Sequence, residues 1–320
     1  MNVPGPEVPP FSHQPVLLHE VVTALQPKAH GRYLDGTLGG GGHAEAILEA
    51  GSPGGFLYGC DRDPAALRAA GDRLGRFGGR TEIHHGDFSG ADQWITPGSL
   101  DGILFDLGVS SHQLDTADRG FSFQQDGPLD MRMDPTGGGP TAADLVNTLP
   151  AGELADLFWS LGDERHSRRI AQALVEDRRN RPFTTTGQLA ASIERVCPRR
   201  GSPTHPATRC FQALRIATNG ELASVREGLE RAFPLLTPGG RLAVISFHSL
   251  EDRIVKEFMR REARDYDYEG PVDHPHLRTP RPPRGRELAR KGIVASDAEL
   301  AANPRARSAR LRVLERLPEP

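Results

Sequence analysis

Apolar and polar positions follow two rhythms along this 320-residue chain. Through the first third, short apolar runs alternate with stretches of helical spacing. Arg32–Asp35, Gly55–Asp61, Thr81–His85 and Leu100–Asp106 read as strands, three of them ending in a carboxylate. Runs so short and so apolar suit strands covered on both faces. A helix is expected from His13 to Leu25, where Val16, Leu17, Val21, Val22 and Leu25 share one face and Pro15 suits the first turn. Two more are expected at Ala44–Glu49 and from Asp63-Pro64 to Leu74. The order predicts a doubly wound α/β core whose ligand crevice lies at the carboxyl ends of parallel strands.

After Asp115 the alternation stops. Phe121 to Pro140 is rich in Gly, Pro and Asp and reads as an irregular loop. Only helical periodicity follows, over Ala142–Leu149, Glu153–Leu161, His166–Arg179 and Thr186–Val196. Nearly a hundred residues without a strand, inside an α/β chain, predict an inserted helical domain. The expected division is 1–114 and 209–320 for the core, with 115–208 inserted. The core resumes with a helix, or a pair broken near Gly220, from Arg209 to Leu236. The turn Thr237-Pro238-Gly239-Gly240 leads to a strand at Arg241–Ser246, and a helix is expected over Leu250–Arg261. The proline-rich segment Pro271–Arg286 reads as loop, and Ala309–Leu317 as a last strand.

Composition changes this picture little: 37% hydrophobic and 25% charged is ordinary for a globular protein. No apolar run approaches the roughly 18 residues that cross a bilayer, and no membrane partner is expected. Pro4, Pro6, Pro9 and Pro10 mark a flexible arm over residues 1–11 rather than a signal peptide. Three widely spaced cysteines without a CxxC argue against disulfides and against a zinc site, so no metal is expected and the compartment is read as cytoplasmic.

Charge adds more. Residues 1–162 hold 9 basic and 21 acidic side chains, whereas 163–320 hold 30 and 21. Ten basic groups lie between Arg278 and Arg312, and Arg199 and Arg200 sit on the insertion. Such asymmetry suggests a face that meets a polyanion, although any one cluster also reads as a solvated surface.

The chemistry centres on Asp35-Gly36-Thr37-Leu38-Gly39-Gly40-Gly41-Gly42-His43, a strand end, a glycine turn and a helix start. Four glycines suit backbone that turns tightly or lies against a ligand. The pattern also suits an ordinary strand-to-helix turn. Asp61 lies 20 residues beyond Gly41, the spacing at which a strand-2 carboxylate grips a ribose diol. That spacing serves nicotinamide and S-adenosylmethionine enzymes alike. Two features favour the second: Asp87-Phe88, which suits an adenine edge and face, and the acid-containing turn Asp106-Leu107-Gly108-Val109-Ser110.

At these residues the chain resembles a known family. His13-Gln14-Pro15-Val16-Leu17-Leu18, the glycine turn, Asp61-Arg62-Asp63-Pro64 and Asp101–Ser111 carry the likeness, with Gln113-Leu114-Asp115 and Gly120-Phe121-Ser122-Phe123. Asp130-Met131-Arg132-Met133-Asp134, His205–Arg209, Phe211–Ile216, Ser246–Arg253 and Asn303–Ser308 complete it. Together they resemble the bacterial 16S rRNA cytosine-N4 methyltransferases of the RsmH (MraW) type. The resemblance implies a class I, Rossmann-like methyltransferase core with an inserted all-helical domain. It implies S-adenosyl-L-methionine as donor and a decoding-region cytidine of 16S rRNA, in the small ribosomal subunit, as acceptor. The family's cofactor positions correspond to Gly41, Gly42, His43, Asp61, Phe88, Asp106 and Gln113. Thr218-Asn219-Gly220 departs from the family's usual Val-Asn-acid, though Asn219 remains.

Cytosine N4 is a poor nucleophile because its lone pair is delocalised into the ring. A site for it must accept hydrogen bonds from the amino group, hold it in line and remove a proton. The Pro-Pro-aromatic turn of many amino methyltransferases is absent after Asp106. Asp106, Asn219, Ser246 and His248 are therefore the candidate acceptor-site residues, with Phe247 as a stacking ring. For Ser246 and His248, capping of the following helix is an equal alternative. The competing functions are methylation of another RNA base or a small molecule, nicotinamide-dependent oxidoreduction, and RNA binding without catalysis.

Overall fold

The computed structural model describes residues 15–199, 201, 204–268 and 272–319. The expected arm over 1–11, together with His13, Gln14 and Arg200, lies outside the described residues. The chain divides into two compact units, Met1–Gly108 with Ala223–Pro320, and Val109–Leu222.

In chain order the elements are α1 (Leu18–Leu25), β1 (Arg32–Asp35), α2 (Gly42–Ala50), β2 (Phe56–Asp61), α3 (Pro64–Leu74), β3 (Thr81–His85) and β4 (Leu100–Asp106). The helical stretch holds α4 (Ser111–Asp115), α5 (Ala142–Thr148), α6 (Ala151–Gly162), α7 (Ser167–Asn180), α8 (Thr186–Val196) and α9 (Thr208–Asn219). Then come α10 (Glu221–Ala232), β5 (Leu236–Ser246), α11 (Ser249–Glu262), β6 (Tyr266–Tyr268), β7 (Arg278–Pro280), β8 (Gly285–Glu287), α12 (Asp297–Ala302) and β9 (Arg310–Arg316).

Seven strands of the first unit form one sheet in the order β3-β2-β1-β4-β5-β9-β8. The first five run parallel, and β9 enters antiparallel to both β5 and β8. Their apolar runs are buried as the pattern requires: Tyr33, Leu57, Leu104, Ile245 and Leu311 lie in one core with Val21, Ile47 and Leu74 from the helices. Each such side chain contributes about 1.5–3 kcal/mol by burial. Register aligns the strand ends, with Asp35 opposite Gly59 and Leu104, Asp61 opposite His85, and Asp106 opposite Ile245. Because β1 is flanked by β2 and β4, the chain winds outward in both directions from it, and the crevice opens there.

The second unit packs Phe158, Ile170, Leu174, Leu189, Ile193, Phe211 and Leu214 into a helical core. Here the expected boundary is corrected. Helix α9 was expected in the resumed α/β core, yet Cys210, Phe211, Ala213 and Leu214 face the helical one. Gly162 of α6 admits the α9 backbone, since a Cβ there would meet the Arg209 carbonyl oxygen. The break expected near Gly220 is real, with that residue left-handed at φ 62°.

Other differences are local. Helix α1 begins five residues later than expected, because Leu17 adopts φ 54° just before it. Helix α2 begins at Gly42 rather than Ala44. The turn expected at Thr237–Gly240 is a bulge inside β5, where pairing jumps from Leu100↔Leu236 to Gly102↔Arg241. The segment read as loop contains β7 and β8; β8 is held by pairing with β9. Among the described residues, no helix is long and apolar enough to cross a membrane.

Candidate active site

At the carboxyl edge of the sheet, in the first unit, the glycine turn is fixed by its own backbone. Gly36 N–H donates to the Leu104 carbonyl, Leu38 N–H to Cys60 and Gly41 N–H to Leu38. Gly39 and Gly41 take φ of 51° and 76°, a region glycine enters without strain. At Gly36 a side chain is excluded outright, because a Cβ would lie 2.5 Å from the Phe105 ring and 2.8 Å from Phe88 Cβ.

Three carboxylates of this unit end neighbouring strands. Asp61 accepts from Gly39 N–H and Asp63 N–H, each at 2.8 Å, and so ties β2 to the glycine turn. Burial raises its pKa to about 6 against the lowering effect of these bonds. Asp35 accepts from Thr37 N–H at 3.2 Å through one oxygen. Its other oxygen is buried without a hydrogen-bond partner, and burial lifts its pKa to about 7. Asp106 likewise has one buried oxygen, Oδ1, with no hydrogen-bond partner. Burial, then the charges of Asp35 and Glu251, raise its pKa well above the carboxylate range. The Asp106 backbone N–H donates to the Thr37 hydroxyl at 2.6 Å, so the turn also positions β4.

His43 lies in the first turn of α2 and is buried. Its Nδ1 is 3.6 Å from Asp106 Oδ2, and its Nε2 is 2.9 Å from the Val16 carbonyl oxygen. Gly42 is pressed against Pro15. Phe88 is mostly packing: its ring centroid is 4.4 Å from that of Phe105, and Gly228 of α10 abuts its edge. Asp87 caps the turn that follows β3, accepting from Ser89 N–H, and pairs with Arg62.

The remaining candidates are placed otherwise. The Ser246 hydroxyl donates to the Arg310 carbonyl at 3.4 Å, so it is taken up by β9. His248 is the N-cap of α11, where Nδ1 accepts from Glu251 N–H. Its Nε2 lies 2.9 Å from Glu251 Oε1, at an angle too bent for a hydrogen bond. Capping, the alternative weighed above, accounts for His248; Ser246 is held by β9 and caps nothing. The Phe247 ring rests near Gly108. In the second unit, Gln113 and Ser110 form a capping box at α4. There too, Asn219 accepts from Met133 N–H and donates to the carbonyls of Met131 and Arg215, all at 2.8–2.9 Å.

Sequence reasoning undervalued Thr37, Asp35 and Glu251. The last is buried and accepts from the N–H groups of Phe247 and His248. Its signal was present in the His-x-x-Glu spacing of a capping box. For Thr37 there was none, since its acceptor role depends on β4 lying beside β1.

This donor and acceptor set suits a cationic, hydroxyl-bearing ligand. Buried unpaired carboxylate oxygens are costly unless a donor or positive charge meets them.

Comparison with known proteins accords with that chemistry. The MraW methylase family pattern matches residues 10–317. A ribosomal RNA small subunit methyltransferase H from Syntrophotalea carbinolica is 53% identical over 96% of this chain and 98% of its own. Proteins of the same name from Xanthomonas euvesicatoria and Citrifermentans bemidjiense are each 52% identical, over 97% and 96% of this chain and 90% and 99% of theirs. The chain belongs to the MraW methylase family.

Proposed function

We propose that the protein is an S-adenosylmethionine-dependent methyltransferase that modifies N4 of a cytidine in small-subunit ribosomal RNA, within the cytoplasm. The observation that carries the reading is the trio Asp35, Asp61 and Asp106 at the switch point of a parallel sheet, the first buried and the other two partly buried, all with raised pKa values. A nicotinamide dinucleotide would bring a doubly charged pyrophosphate beside them and be repelled. S-adenosylmethionine brings a sulfonium and an ammonium, which offset the penalty these carboxylates carry. The names of the relatives supply the substrate class.

When bound, the cofactor supplies an electrophilic methyl group. The protein's part is binding, orientation and proton removal. Asp61 would hold the ribose hydroxyls, and the turn through Gly41, Gly42 and His43 would pack against the cofactor, with Asp106 as a further contact. Phe88 backs the glycine turn from beneath. Asp106 Oδ1, with no partner of its own, accepts a hydrogen bond from the cytosine amino group and turns the nitrogen lone pair toward the methyl. As the N–C bond forms and the bond from the methyl to sulfur breaks, leaving a neutral thioether, N4 would become acidic and lose its proton to a carboxylate of the site. A carboxyl with a raised pKa accepts that proton well near neutral pH. Ser246 and His248 serve this site by shaping backbone.

The deciding measurement is mass spectrometry of ribosomal RNA nucleosides from cells lacking the protein. Loss of N4-methylation at one cytidine, restored by the wild-type chain, is expected. An unchanged nucleoside profile would sink the assignment.

A further inference from the structure

The basic segment of the first unit is less exposed electrostatically than its composition suggests. Arg278 pairs with Asp273, Arg281 with Asp267, Arg284 with Glu262, Arg286 with Glu315 and Arg312 with Asp252. Arg261 is matched by both Glu230 and Glu262. Three arginines without an ion pair gather in one place. Arg260 and Arg264, at the end of α11, and Arg290, in the loop after β8, line one pocket of about 350 Å³ with Ala263 and Glu287. Among the described residues, none of these three makes an ion pair. Three arginines with a single carboxylate, Glu287, among them make this a cationic pocket that attracts an anion.

A larger groove of about 630 Å³ adjoins this pocket and shares Arg260 and Arg264 with it. Its walls add Tyr266 and Tyr268 from β6, Phe258 and Ile254 from α11, and Arg226 and Leu229 from α10. Glu230, Glu257 and Asp267 are its acids, of which Glu230 and Asp267 are already matched to Arg261 and Arg281. Arg264 lies over both tyrosine rings, 5.7 Å and 5.3 Å from their centroids, so the cation is fixed at the junction of the two spaces; Arg278 also lies 4.3 Å from the Tyr266 centroid, which leaves Tyr268 as the ring for a base.

We propose that the pocket holds a backbone phosphate of single-stranded RNA and that the groove takes the adjoining nucleoside. Arginine forks match phosphate oxygens in pairs, and aromatic side chains offer stacking to any base. The proposal rests on the RNA reading above and extends it to a second site on the first unit. Helix α11 starts at the carboxyl edge of β5 and runs for 14 residues, about 21 Å, to this pocket. A contact so far from the reacting edge anchors the substrate without touching the chemistry. It therefore acts on KM and leaves kcat alone.

The test compares the wild-type chain with Arg260→Ala/Arg264→Ala/Arg290→Ala, and with Arg290→Ala alone as a loop variant that leaves α11 intact. The substrate is unmethylated small-subunit RNA. For the triple variant KM rises on the order of 100-fold, and for the single roughly tenfold, with kcat at saturating RNA and S-adenosylmethionine affinity unchanged. The log–log salt slope shrinks by about 0.7 for each phosphate no longer held. If the wild-type chain methylates the RNA and both variants keep its KM and salt slope, the anchor is wrong while the activity stands. If the wild-type chain does not methylate the RNA, the functional reading itself fails. Loss of binding to an acidic peptide or to anionic vesicles, with KM for RNA unchanged, would reassign the pocket and overturn the proposal.

Discussion

His43 and Asp106 meet through a contact that requires a proton. The ring's Nε2 faces the carbonyl of Val16, which only accepts, so Nε2 carries a hydrogen. In the neutral ring, Nδ1 then turns a lone pair toward Asp106 Oδ2, 3.6 Å away. The contact is attractive only when one proton sits on the imidazole or on the carboxyl. In the proposed reaction, the proton released by the amine has two groups between which to divide.

The first expected outcome concerns pH. Asp35, Asp61 and Asp106 all have native pKa values above those of an unfolded chain. Between about pH 4 and 7 the native state therefore binds more protons than the unfolded one, so its stability falls as pH rises. The melting temperature of the free protein should decline across that window, less so in Asp35→Asn. A cationic cofactor favours the ionised carboxylates, so its binding at pH 6.5 should release protons. Calorimetry in two buffers of different ionisation enthalpy measures this; zero release would contradict the assigned carboxyls.

Asp106→Asn keeps the volume but presents an amide hydrogen where the amino group needs an acceptor. At saturating cofactor the single-turnover rate should fall by roughly 10²–10⁴-fold. If saturation restores most of the rate, Asp106 serves the cofactor alone.

Asp61→Ala carries two costs. Lost charged hydrogen bonds to the ribose, about 1.5–3 kcal/mol, should weaken cofactor binding roughly 10- to 150-fold. The N–H groups of Gly39 and Asp63 also lose their acceptor, so the melting temperature should fall as well. Unchanged affinity by titration calorimetry would exclude the ribose contact.

For Asn219→Ala the damage is expected in the backbone of the second unit. Its side chain joins Met131, Met133 and Arg215, and Met131 adopts φ 63° while fully buried. Removing the clamp leaves buried groups unpaired at about 1–3 kcal/mol each. Hydrogen exchange should accelerate around residues 131–133. Wild-type protection there, with a lost rate, would instead make Asn219 a substrate contact.

How much of this was legible depends on whether the cause is local. Strands β1, β2 and β4 show in the chain because burial leaves apolar runs, whereas β3 is an edge strand with no buried residue and shows only by its place after a helix. Asp61 shows because strand, turn and helix fix its spacing. The bulge in β5 did not, since Pro238-Gly239-Gly240 carries the same signal whether or not the strand continues. The periodicity of α9 showed a helix but not which core Phe211 and Leu214 would enter. The engagement of Ser246 needs the register of β9, and that of Asn219 needs a loop some 88 residues earlier. Neither is written near the residue itself.

The interruption of the sheet also sets an order of events. Gly102 of β4 pairs with Arg241 of β5 across the whole inserted unit. The insertion's own contacts are confined to a continuous stretch and can close as soon as Leu222 has been synthesised. The central β4–β5 pairing, with its high loop-closure entropy, must wait. The helical unit is therefore positioned to fold ahead of its host. A lesion in its core, such as Leu214→Ala, would delay sheet assembly while altering no residue of the sheet. Its phenotype would be a slow-folding, aggregation-prone methyltransferase with an intact catalytic edge.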